Sequence, residues 1–209
     1  MPAAPSRPAL RARFDRRQEA LVAQAAKVFA RNGYDETTMQ DVAASMGLAT
    51  GAVYHYFSGK EQLLMAICNQ LLDPLMERAT KLVEQNGPPE AQLREFVQLW
   101  VEHVVAHRDH MLVFQQKRHT IEVGDRWRKV RANRKAFEQL ASRSVSRAIG
   151  WSRPEDPLPL FALLGMVNHT AQWFRPRGQL TPQQIANGYV DLVLAASAPP
   201  LESVPNAHV

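Results

Sequence analysis

The sequence predicts an all-α protein of about nine helices. Three observations carry that expectation. Apolar residues recur at three- and four-residue spacing from Phe14 to about Ser197. Strand-like alternation of useful length and internal repeats are both missing. Proline, glycine and cap-forming residues punctuate the chain at helix-sized intervals. With 209 residues and 45% apolar content, the chain can build one sizeable core, or a small and a larger domain sharing helices.

The chain opens with Pro2, Pro5 and Pro8, so residues 1–13 read as a basic flexible arm. Arg7, Arg11, Arg13, Arg16 and Arg17 face only Asp15 in this stretch. Such a run is either a solvated tail or an arm that enters a DNA minor groove. Leu21, Ala25, Val28 and Phe29 then follow helical spacing, and Asn32-Gly33 closes a helix over residues 14–32.

Two short helices fill residues 38–57. Thr38-Met39-Gln40-Asp41 is a capping-type start, with Val42, Ala43 and Met46 facing inward. Gly47 suits the left-handed turn that follows, and Leu48 is expected to plug a small core. Thr50 is expected to cap the second helix, which turns Val53 and Phe57 inward. That leaves Gly51, Ala52, Tyr54, His55 and Tyr56 outward. This is a helix-turn-helix, whose second helix can lie in a major groove about 12 Å wide. Thr50, Tyr54, Tyr56 and Lys60 carry groups that reach phosphates, and Thr38 and Gln40 stand at the groove edge. Gly51 and Ala52 permit close backbone approach, and His55 can donate or accept at a base edge.

Ser58-Gly59-Lys60-Glu61 reads as a capping box for a long helix over residues 60–86, kinked at Pro74. Gly87-Pro88-Pro89 ends it. Leu93, Phe96, Val97, Trp100, Val101, Val104 and Val105 then form an uninterrupted apolar stripe, which must be buried against other helices. A short helix near residues 109–117 and a long one over 124–149 follow. Ser152-Arg153-Pro154 separates these from an apolar helix over 158–174. Thr181-Pro182-Gln183-Gln184 opens the last helix, with Thr as N-cap, Pro at N1 and Gln at N3. Residues 199–209 read as a loose tail. The domain expectation is therefore 1–13 arm, 14–59 reading head, 60–198 larger helical domain and 199–209 tail.

Residues 37–64, TTMQDVAASMGLATGAVYHYFSGKEQLL, closely resemble the signature of the TetR family of repressors. The family's features fall on Thr38, Ala43, Gly47, Thr50, Val53, Tyr54, Tyr56, Phe57 and Lys60. The resemblance implies a homodimer with a three-helix DNA-binding domain. It also implies a larger domain that binds a small-molecule inducer and dimerises through its last two helices. Residues 173–194, WFRPRGQLTPQQIANGYVDLVL, resemble the corresponding segment of TetR-type repressors of steroid, fatty-acid and aromatic-acid catabolism. That implies an acyl-CoA or a hydrophobic carboxylic acid as inducer.

Candidate ligand-binding residues are Phe96, Trp100, Phe114, Arg118, Trp127, Asn168, His169 and Trp173. An aromatic at helical spacing is also ordinary core. Asn168 and His169 interrupt an apolar helix, where an unpaired polar group is costly, so they meet either a ligand or a dimer partner. Arg128 and Arg131 offer further charge, or simply a solvated face. His103, His107 and His110 lie at i, i+4 and i+7 and could in principle hold Zn²⁺, but Arg108-Asp109 looks like a helix boundary. No metal or cofactor is expected. With no G-x-G-x-x-G, P-loop or H-E-x-x-H, and with Cys68 lacking an identifiable base, no enzyme is expected either.

The net charge of +5 suits a polyanionic partner, double-stranded DNA with a palindromic site. A single cysteine, no signal peptide and no long apolar run point to a cytoplasmic protein away from membranes. A second reading is a dimeric, DNA-bound architectural or co-regulatory protein with no small-molecule inducer.

Overall fold

The computed structural model describes residues 8–150 and 157–197. These residues form ten α-helices and one 3-10 turn, with no strand among them. They are α1 Pro8–Asn32, α2 Met39–Ser45, α3 Thr50–Tyr54, α4 Lys60–Val83 and α5 Pro89–Ala106. α6 Arg108–Gln116, α7 Arg118–Glu122, α8 Arg128–Ile149, α9 Leu158–Trp173 and α10 Pro182–Ser197 follow. The expected count of about nine falls short because a separate α7 forms after Lys117. The helix expected over 124–149 starts instead as a 3-10 turn, Asp125–Trp127, continued by α8.

Helix α1 begins at Pro8, so residues 8–13 are helical rather than part of a flexible arm. Pro8 at the opening position preorganises φ where its missing N–H costs nothing. Arg7 and the remainder of the expected arm lie outside the described residues, as do Ser152-Arg153-Pro154 and the tail over 199–209. Gly33 ends α1 at φ 86, with its N–H donating to Phe29 O at 2.9 Å, as the Asn-Gly signal predicts.

Helix α5 is the hub. The stripe read in the sequence is buried from Leu93 to Val104, packed against α4, α8, α9 and α10. At its centre Phe96 and Phe137 stack with ring centroids 5.5 Å apart, and Trp100 meets Phe137 edge-on at 4.8 Å. Helix α4 runs through Pro74 without interruption and shares its buried face with both α1 and the larger bundle. Helix α6 touches α1, α4 and α9, so it bridges the amino-terminal unit and the bundle. No helix among the described residues is long and apolar enough to cross a membrane.

Candidate functional site

The amino-terminal unit is built as its local chemistry dictates. Thr38 caps α2: its Oγ accepts from the Asp41 N–H at 3.2 Å, and Asp41 Oδ2 accepts from the Thr38 N–H at 2.8 Å. The Thr38 hydroxyl also donates to Asp41 Oδ2 at 2.6 Å, and these hydrogen bonds hold the Asp41 carboxyl below its usual range. Gly47 turns the chain at φ 64, the left-handed conformation expected there. Val42, Ala43, Val53 and Phe57 are fully buried and make the small core between α2, α3 and their neighbours.

Three local expectations change. Leu48 is 39% exposed, so it rims the turn instead of plugging the core, which the four buried residues already fill. Ala49 holds the N-cap position of α3 without a side-chain bond, and Thr50 is the first helical residue. Gly59, not Ser58, is the N-cap of α4. The side chain reaching back to the Ser58 N–H is Gln62, at 2.7 Å, and not Glu61.

Helix α3 presents Gly51 and Tyr54 to solvent, with Tyr54 half exposed, and Thr50 and Ala52 are partly covered. Gln40 stands exposed on α2. His55 is exposed at the C-cap of α3, and Tyr56 is half-buried just beyond it. Phe14 of α1 packs against both, 5.9 Å from the His55 ring edge-on and 4.7 Å from Tyr56. Lys60 does not point outward. Its ammonium donates to the carbonyls of Tyr34, Asp35 and Thr37 at 2.7, 3.1 and 2.9 Å and lies 4.5 Å over the Tyr34 ring. A Lys carries three donors, so its role shifts from phosphate contact to clasping the α1–α2 loop. Lys117 of the bundle grips the same loop through Asp35 at 3.0 Å.

Inside the bundle a cavity of about 540 Å³ opens between α4, α5, α6, α8 and α9, with Arg118 of α7 also on its wall. Leu71, Leu75, Trp100, Met111, Phe114 and Phe137 make an apolar body. Arg118, Arg134, Gln115, Asn168 and His169 supply polar groups, with Glu138 as the acidic member. Arg134 pairs with Glu122, which draws the Glu122 carboxyl below its usual range, and its Nε lies 3.4 Å from Glu138 Oε1. Of the expected ligand set, Trp100, Phe114, Arg118, Asn168 and His169 meet here. Phe96 and Trp127 are buried elsewhere in the core, and Trp173 is 40% exposed off the cavity. Arg131 donates to the carbonyls of Ile121 and Gly124, and Arg128 pairs with Asp125 on the surface, so neither faces the cavity.

Residues 21–67 match the family described as bacterial regulatory proteins of the tetR family, and residues 86–197 match a tetracyclin repressor-like C-terminal domain. The second match alone spans more than half of the chain. The chain belongs to the TetR family. Among curated relatives, the HTH-type transcriptional repressor KstR2 of Mycobacterium tuberculosis is 26% identical over 184 residues, covering 85% of this chain and 91% of that protein. A solved structure described as AibR in complex with isovaleryl coenzyme A and operator DNA is 31% identical. It covers 84% of this chain and 97% of its own, with a TM-score of 0.71. PfmR of Thermus thermophilus, a TetR family regulator, is 29% identical with a TM-score of 0.72, covering 84% and 97%. The relatives are transcriptional regulators and not enzymes, and this TetR protein is one of them.

In this TetR chain the three histidines are packing elements. His103 donates to Leu71 O at 2.7 Å, His107 to His103 O at 3.0 Å and His110 to Gln70 Oε1 at 3.0 Å. Burial, then the charge of His107, pushes His103 and His110 down to about 4. Cys68 is fully buried and its thiol is pushed up to about 12 by burial, so it is the packed, unreactive thiol expected. Arg134, Phe137 and Gln115 were missed as cavity residues. The available signal was the i, i+3, i+4 set Arg134, Phe137 and Glu138, which shares one helix face.

Proposed function

We propose that this protein is a homodimeric, cytoplasmic TetR-type repressor that leaves a palindromic operator when an amphipathic anion fills the bundle cavity. The observation carrying this reading is the cavity's division into an apolar body and a hydrogen-bonding rim on which Arg118 stands. An aliphatic or polycyclic acyl group suits Leu71, Leu75, Trp100 and Phe137, while a carboxylate or the polar arm of a CoA thioester suits Arg118, Arg134 being held already by Glu122 and Glu138. A volume of about 540 Å³ takes an acyl group and not a whole CoA, so a thioester would extend past Arg118. The isovaleryl coenzyme A held by the AibR relative supports that class.

The reading head docks with α3 in the major groove. Gly51, Ala52 and His55 face base edges, and Thr38, Gln40, Thr50, Tyr54 and Tyr56 face phosphates. Dimerisation runs through α9 and α10, whose outer faces expose Phe161, Trp173 and Leu192. The test is operator release and thermal shift with a panel of acyl-CoA thioesters beside their free acids. Release by one group, lost in Arg118→Ala, is the expected result. No response to any member of either class removes the inducer reading and leaves a dimeric DNA-bound regulator without a ligand.

A further inference from the structure

The opening turns of α1 carry four arginines, Arg11, Arg13, Arg16 and Arg17, all exposed. They belong to the same rigid helix as Phe14, and Phe14 is buried against His55 and Tyr56 at the end of α3. The basic turns are therefore fastened beside the reading helix. Helical geometry divides the arginines. Arg13 and Arg17, four residues apart, share one flank of α1 with Leu10. The opposite flank holds Gln18 and Val22, which line the groove against α4. The two acids, Asp15 and Glu19, fall on that side, with Arg11 between them and Phe14. Arg16 lies on the back of the helix. Among the described residues neither Arg13 nor Arg17 makes an ion pair, and their flank carries no acid.

A helix with side chains is roughly 10–12 Å across and the minor groove roughly 6 Å wide, so residues 8–13 cannot enter it. The partner that fits an acid-free arginine pair held beside a major-groove helix is the sugar-phosphate backbone bordering that groove. We infer that Arg13 and Arg17 form a preorganised phosphate clamp continuous with the α3 interface. The clamp adds affinity without sequence information and rests on the DNA-binding reading above. Phe14 is its positioning residue, setting the distance between the clamp and α3.

The experiment measures operator affinity of the full chain across a salt series, for the parent, R13A/R17A and R16A. Each phosphate contact contributes about 0.9 to the slope of log K against log salt. The double variant should lose a little under two from the slope, with unchanged sequence preference and unchanged melting temperature. R16A removes a charge from the back of the same helix and should keep the parent slope. An unchanged slope in R13A/R17A overturns the clamp, and so does an equal loss per arginine in R16A, which would mean only diffuse charge. A loss of preference for A·T flanks in the double variant overturns it in favour of minor-groove insertion. A parent that binds no duplex DNA overturns the DNA-binding reading itself, and the clamp with it.

Discussion

The Lys60 ammonium satisfies three carbonyls of one loop; without it Tyr34 O keeps only the Thr37 N–H at 3.3 Å, and the Asp35 and Thr37 carbonyls lose this donor. Hydrogen bonds to a charged group are worth about 1.5–3 kcal/mol each, discounted here because part of the loop is wet. Lys60→Met should therefore cost about 2–4 kcal/mol in urea unfolding, while its salt slope for DNA stays at the parent value. A slope lowered by about one would restore Lys60 to the phosphate contacts. His103 and His110 make a second prediction. Both sit at about 4 in the folded chain against 6.5 for a free imidazole. Between those values the unfolded chain binds more protons than the folded one, so stability rises with pH through the window and levels off above about 7. Folded protein should melt several degrees lower at pH 5 than at pH 7.5. His110→Gln should flatten that dependence, and an equally steep profile in the variant would exclude His110 as a source.

Helices α9 and α10 join through a hydrogen bond between Thr170 Oγ and the Tyr189 hydroxyl at 2.9 Å, which fixes the hairpin and leaves Leu192 62% exposed. A charge there should block apposition of two such hairpins. Leu192→Asp is expected to sediment as a monomer and to lose operator affinity by at least tenfold, with the helix content of the parent. A dimeric Leu192→Asp would place the interface elsewhere. What the sequence made legible at this scale follows the range of the contact. The caps of α2 and α10 were readable because each closes within three residues, Thr38 with Asp41 and Thr181 with Gln184. The α5 stripe was readable because burial of one face imposes period 3.6. Lys60 was misread because its partners lie more than twenty residues away, and an exposed-looking lysine carries no local mark of a clasp. The cavity was only partly legible for the same reason: its wall is assembled from six helices, and Phe96 and Phe137 look alike until their packing is known.

Across the whole molecule, α6 is the element that touches both the cavity and the amino-terminal unit. Met111, Phe114 and Gln115 face the cavity, while His110 donates to Gln70 on α4 and Gln70 donates to Glu19 O on α1 at 3.4 Å. A ligand shifts the reading head only as far as its affinity differs between two arrangements of this chain of contacts. Gln70→Leu should leave operator binding and ligand binding near parent values and lower the ligand-induced loss of operator affinity by about tenfold, a coupling change of about 1–2 kcal/mol. Parent-like coupling would route the signal through α4 packing alone. Helix α9 extends the point beyond one subunit. Phe161, Gly165 and His169 line the cavity and also stand on the outer face of that helix. In a dimer joined along α9, one wall would serve two chambers. Filling the first would reshape the second, so the two chambers would not fill independently and the response would depart from simple one-site saturation.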